Sequence, residues 1–338
     1  ESGTPGHRMG CKGSLEIVRR QHSDANLASL GTFLVPLLEY GGGTPMVDAL
    51  LRMQKSAAKE MGDLRGKVSR GNKLTADEKA ALLRQIDMLP EREDGLASST
   101  QEADLLFAGF DGRDEYVRTK VLGRLNESLL KLAQGKFSIP DSCSLMVTAD
   151  PTSSIPEGCV VCLLRGVSLV RSRVLLYKSP GMHPGDVRSA RAVEMPPELA
   201  AHLRPSVGDT FPGGCAGQTC LIFSSRGSRP LADMIAGSDY DGDVFTVIYN
   251  EEMLSHWRKE DVAPWTEPSP SISSPAKQAP PSSLRPASLS REELRAQLRA
   301  HLFHCRKANN LMGSVATSWK QWVHDKDVGC PDAISLSW

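Results

Sequence analysis

Six short β-like runs, 144–148, 159–164, 174–178, 187–193, 219–223 and 244–249, follow one another with no long amphipathic helix between them. Each is bounded by Gly, Pro, Asp or Ser, the residues that stop strands and make turns. A parallel α/β sheet needs a crossover of about a dozen residues or more, usually a helix, between successive strands. The spacing therefore points to a compact β-barrel rather than a Rossmann-type sheet.

The flanks read differently. Residues 27–38 are apolar and run into Tyr40-Gly41-Gly42-Gly43, a strong helix stop. Thr44-Pro45 then opens another helix, with Thr at the N-cap and Pro at the first helical position. Thr75 and Glu78 form a capping box, and that helix must end before Pro90. Val117, Val121, Leu125, Leu129 and Leu132 recur at helical spacing up to Gly135. These stripes read as core and carry no chemistry. Prolines and serines crowd 264–286, a composition that cannot bury a core and is expected to be a disordered loop. Ser290 and Glu293 make a second capping box, opening a helix to about Lys307, with 311–323 continuing helically after a possible break. The expected class is α+β. Its parts are a mainly helical connector over 1–140, a barrel over 141–262, the loop over 263–289 and a truncated helical segment over 290–338.

Composition narrows the setting. Lys+Arg and Asp+Glu both total 40 in 338 residues, so the net charge neither supports nor excludes a nucleic-acid partner. No apolar run approaches the ~20 residues that cross a bilayer, and no signal-peptide pattern opens the chain. The eight scattered cysteines suggest a reducing compartment. Cys159 and Cys162 have zinc-like spacing but sit in a strand-like run, so buried free thiols are the better reading. The chain begins at Glu1 without a methionine and is expected to be a piece of a longer protein.

The segment Asp239-Tyr240-Asp241-Gly242-Asp243 holds three carboxylates at alternate positions. In an extended backbone such positions face the same way, whereas a helix would splay them. Gly242 permits the tight turn that lets them converge. Two unit charges about 4 Å apart repel by ~1 kcal/mol in water and ~4 kcal/mol at an effective dielectric of 20. A converged set calls for a cation or protons, and hard oxygen ligands select Mg²⁺, Mn²⁺ or Ca²⁺. An acidic surface turn is the bland alternative. A calcium loop fits poorly, because Val244 stands where that loop needs Gly and Asn250 where it needs Glu.

Reading outward, Arg226-Gly227-Ser228-Arg229-Pro230, Ala236-Gly237-Ser238 and the aspartate loop resemble the catalytic motif of eukaryotic cellular RNA-dependent RNA polymerases. Lys178-Ser179-Pro180-Gly181-Met182-His183-Pro184-Gly185-Asp186-Val187-Arg188 resembles that family's second signature. Weaker likenesses lie around Gly135-Lys136-Phe137 and at Met312-Gly313. Leu231-Ala232-Asp233 and Tyr240 depart from the family's usual residues without removing a carboxylate.

The resemblance implies a double-psi β-barrel carrying the aspartate loop, the second of two barrels between which the family builds its site. It implies template-directed addition of nucleoside triphosphates to an RNA 3′ end, making double-stranded RNA in RNA silencing. Asp239, Asp241 and Asp243 would be catalytic residues and ligands of Mg²⁺ or Mn²⁺. Lys178, Arg188, Arg226 and Arg229 would meet phosphates of nucleotide or RNA. His183, Asp186 and Gly242 would support the loops. Single-stranded RNA, NTPs and other RNA-silencing proteins would be the partners, with no membrane, inside the cell in nucleus or cytoplasm. Two other readings stand beside this one. A DNA-dependent RNA polymerase barrel shares the Asp-x-Asp-Gly-Asp core but is usually preceded by Asn-Ala rather than Gly-Ser. The other is a catalytically silent RNA-binding scaffold.

Overall fold

Strand alternation decides how the barrel closes. The computed structural model describes residues 27–87, 105–106, 108–203, 218–260, 262–264, 266 and 290–336. Its strands are β1 (Ser142–Ala149), β2 (Cys159–Leu164), β3 (Val167–Ser168), β4 (Arg171–Lys178), β5 (Val187–Ala192), β6 (Cys220–Phe223) and β7 (Val244–Ile248). The sheet runs β3-β2-β5-β4-β7-β1-β6, and a further β2–β6 pairing closes six of these strands into a ring. Two seams are parallel, β1–β6 and β2–β5, and the other four are antiparallel. The expected runs all become strands, within a few residues of their bounds. The two-residue β3, which pairs with the end of β2, is an addition.

Successive residues point to opposite faces of a strand, and the core obeys this period of two. Cys143, Leu145 and Val147 of β1 share one cluster with Val160 and Cys162, Val174 and Leu176, Leu221 and Phe223, and Phe245 and Val247. That is the barrel interior. The intervening residues Leu175, Tyr177, Val187 and Ile248 join a second cluster with the helices. Cys159, Val161, Leu163 and Ile222 pack instead with Ile155 and Leu199. β2 is thus covered on both faces, and Cys159 and Cys162 are buried free thiols on opposite sides of it.

The helices are α1 (Leu34–Ser69), α2 (Ala76–Asp87), α3 (Glu115–Ala133), α4 (Pro197–His202), α5 (Glu251–His256), α6 (Arg291–Asp325) and α7 (Pro331–Leu336). The glycine stop inside α1 is in fact a kink. Only Gly43 leaves helical backbone, at φ 61°, and the helix resumes at once. Gly41 has a different reason to be glycine: a Cβ there would lie 1.8 Å from the Trp257 ring. The Thr75–Glu78 and Ser290–Glu293 boxes both form. The two helical stretches read in the last segment form one continuous helix, α6. α1, α2 and α3 share a satellite core of Val68, Leu82, Val117, Val121 and Leu125. The Pro/Ser-rich stretch expected to be a loop lies almost wholly outside the described residues.

Candidate metal centre

The loop between β6 and β7 is built in two steps. Residues 230–238 form linked turns, closed by Ile235 N–H to Ala232 O at 2.9 Å and Ser238 N–H to Ile235 O at 3.2 Å. Ala232 and Ile235 are fully buried and join the barrel interior. This plug delivers Ser238 and then the aspartates to the start of β7. Ala236, Gly237 and Gly242 have positive φ of 52°, 54° and 121°. The last of these lies far from the region open to ordinary side chains, so the turn between Asp241 and Asp243 requires glycine.

One carboxylate oxygen from each of Asp239, Asp241 and Asp243 lies within 4.8 Å of the others; the first two residues are exposed and the third half-buried. Alternating spacing thus does bring the three together. Their electrostatics differ. Asp239, hydrogen-bonded and like-charged, raises the pKa of Asp241 above the ordinary carboxylate range, with smaller pushes from burial and Asp243. Burial acts to raise Asp243 as well, but hydrogen bonds from Lys178 and Ser238 outweigh it and hold that carboxyl low. The set is chemically suited to a hard divalent ion: oxygen donors, net negative, and partly open to solvent.

Lys178 ends β4, which pairs with β7 so that Lys178 stands opposite Phe245. Its Nζ lies 2.7 Å from Asp243 Oδ2. Asp186 closes the short 3₁₀ turn Pro184–Asp186 between β4 and β5. It is buried, and its Oδ2 accepts from the N–H groups of Met182 at 2.9 Å and His183 at 2.8 Å. Its Oδ1 accepts from Ala236 N–H at 3.0 Å, fifty residues away. The turn and the aspartate loop are therefore tied together three residues before Asp239. Burial pushes the Asp186 pKa up against these donors. His183 accepts from Gly185 N–H at Nδ1, 3.0 Å, which braces the turn; burial lowers its pKa, with Asp186 acting the other way.

The arginines divide. Arg188 on β5 donates to Val262 O at 3.1 Å; burial, then the charge of Arg229, lowers its pKa. Arg229 is paired with Asp233. Arg226 donates to Ser153 O at 2.6 Å, in the turn that Asp150 shapes by accepting from Thr152 and Ile155 N–H. Sequence reasoning singled out no role for Ser238, whose buried hydroxyl lies 2.5 Å from Asp243 Oδ2. Its signal in the sequence was its place in the Ala236-Gly237-Ser238 run beside the first aspartate.

Among the described residues no helix is long and apolar enough to cross a membrane. A family model described as RNA dependent RNA polymerase matches residues 7–338. Probable RNA-dependent RNA polymerase 3 of Arabidopsis thaliana is 27% identical over 307 residues, covering 90% of this chain and 27% of that protein. RNA-dependent RNA polymerase 1 of Schizosaccharomyces pombe is 26% identical over 269 residues, covering 72% of this chain and 20% of that protein. Both leave most of the relative unmatched, so the chain spans about a quarter of their length or less. Among solved structures, RNA dependent RNA polymerase QDE-1 from Thielavia terrestris is similar with a TM-score of 0.60 at 18% identity, covering 93% of this chain and 35% of that one. This likeness carries the fold.

Proposed function

Because the chain belongs to the RNA-dependent RNA polymerase family, we propose that it forms the catalytic barrel of an enzyme that extends an RNA 3′ end with nucleoside triphosphates on a single-stranded RNA template. The observation that carries this reading is the convergence of Asp239, Asp241 and Asp243 on one loop of the ring. Those residues would hold Mg²⁺ or Mn²⁺. When bound, such ions lower the pKa of an attacking hydroxyl and neutralise charge on a departing pyrophosphate.

The chain's own groups supply the rest. Lys178 keeps Asp243 ionised and offers an ammonium to an incoming phosphate. Arg188, half-buried beside the charge of Arg229, is the better placed arginine for a phosphate. Arg229 joins it by exchanging Asp233 for substrate, and Arg226 lies on the neighbouring turn. Asp186 and Gly242 hold the loop in shape, and His183 holds the turn that carries Asp186. The product is double-stranded RNA, with a role in RNA silencing alongside other silencing proteins. RNA and NTPs place the reaction inside the cell, in nucleus or cytoplasm. The connector over 1–140 and the segment over 290–338, through their described helices, flank the barrel over 141–262.

The test is RNA synthesis from labelled nucleotide, single-stranded RNA and Mg²⁺ by the complete protein and its Asp241→Ala variant. The variant is expected to make no RNA. Unchanged synthesis by it would overturn the site.

A further inference from the structure

We propose that Ser238 is a positioning residue that, with Lys178, fixes Asp243 as a one-oxygen metal ligand. The inference rests on the metal-site reading above and adds a residue outside the triad.

Asp243 treats its two oxygens unequally. Oδ2 is met by Lys178 Nζ at 2.7 Å, Ser238 Oγ at 2.5 Å and Asp239 N–H at 3.2 Å. A carboxylate has about four lone-pair sites over two oxygens, so three donors commit Oδ2 fully. Oδ1 accepts no hydrogen bond among the described residues and keeps its lone pairs for an ion.

Three donors from three directions also stop the carboxylate from turning. Lys178 brings charge on a flexible stem, and the Asp239 N–H belongs to the loop being positioned. Ser238 is the rigid member. It is 5% exposed, and its N–H is held by Ile235 O at 3.2 Å at the end of the buried plug. Its single hydroxyl proton goes to Asp243 Oδ2, the shorter of its two acceptor contacts; Asp239 O lies at 3.2 Å. Removing a group that orients a ligand from behind typically costs about 10–100-fold in metal affinity.

The test is Mn²⁺ alone, titrated into the 338-residue chain and followed by the paramagnetic resonance of free Mn²⁺. Wild type, Ser238→Ala, Ser238→Thr and Asp241→Ala are compared. Ser238→Ala is expected to weaken Mn²⁺ about tenfold, and Ser238→Thr, which keeps the hydroxyl, to stay within about twofold of wild type. Asp241→Ala is expected to lose binding. Wild-type affinity in Ser238→Ala, with binding lost in Asp241→Ala, overturns the positioning role and leaves the metal site standing. Equal weakening in the Ala and Thr variants overturns the assignment to the hydroxyl. Wild-type affinity in Asp241→Ala overturns the metal site and this inference with it.

Discussion

Two loops meet at the end of this barrel, and they treat aspartate in opposite ways. In the β4–β5 turn, Asp186 is buried and saturated by backbone N–H groups from two segments. In the β6–β7 loop, Asp239 and Asp241 are exposed and set against each other and against Asp243. A carboxylate buried among N–H donors holds a chain in place. Carboxylates crowded at the surface repel, and a cation or a proton relieves them. The contrast separates an aspartate that ties two segments together from aspartates whose carboxylates are crowded and exposed. Asp243 lies between the two kinds, half-buried, with Oδ2 occupied and Oδ1 accepting no hydrogen bond among the described residues.

The most severe way to break the comparison is to exchange the effects. Asp241→Ala, and equally Asp239→Ala or Asp243→Ala, should abolish RNA synthesis in the complete protein. Asp241→Ala should also leave ion-free thermal unfolding unchanged or slightly raised, because Asp241 is exposed and repelled by its neighbours. An unfolding midpoint that fell sharply would move Asp241 into the architectural class.

Asp186→Ala should do the reverse and strike stability first. It strands the part-buried N–H groups of Met182, His183 and Ala236, at a cost of about 3 kcal/mol, read by denaturant unfolding. A loss no larger than that of a surface substitution would break the architectural assignment.

The pH dependence sharpens the same contrast through its sign. The Asp186 pKa is raised from its ordinary 3.8 by burial, so its stabilising contribution is full below pH 3.8 and is lost as pH rises through the folded value. The Asp243 pKa is lowered, since Lys178 and Ser238 outweigh burial. Its contribution is present above pH 3.8 and is lost as pH falls through the folded value. The advantage of wild type over Asp186→Asn should therefore shrink as pH climbs from 3.8, and that over Asp243→Asn should shrink as pH falls from it. Denaturation in an ion-free series across pH 3.8 reads both slopes, and slopes of the same sign would refute the distinction.

The smallest effect belongs to neither loop. Thr75→Ala removes the cap of α2 and should cost about 1 kcal/mol of stability while leaving Mn²⁺ affinity untouched. A change in Mn²⁺ affinity would mean that the satellite core and the barrel end are coupled.

Much of this was legible in the sequence, for definite reasons. Alternation of two and turn residues mark strands locally, so the six runs and the ring they form were readable from 144 to 249. The convergence of the triad was readable because alternate spacing and the turn at Gly242 let the three carboxylates meet. What spacing cannot show is which donor lands on which oxygen. Lys178 reads as a phosphate-seeking cation, yet strand pairing sets it on Asp243. The bond from Ala236 to Asp186 spans fifty residues, and no local pattern announces it. The glycine run misled because two physical causes share one residue type. Gly43 supplies a positive φ, whereas Gly41 makes room for Trp257.

Closure of the ring has a mechanical consequence. In an open sheet, a strand can slide past one neighbour by a residue and turn its side chains over. Here β7 is held between β1 and β4, each of which is held in turn, and β2–β6 completes the circuit. No seam can slide unless others slide with it. The gap between an ammonium on β4 and a carboxylate before β7 is thereby gauged by the whole hoop rather than by one pair of strands. The six strands should exchange their amide protons as one unit, and a lesion at a distant seam should blur the aim of the carboxylates before it melts any single strand.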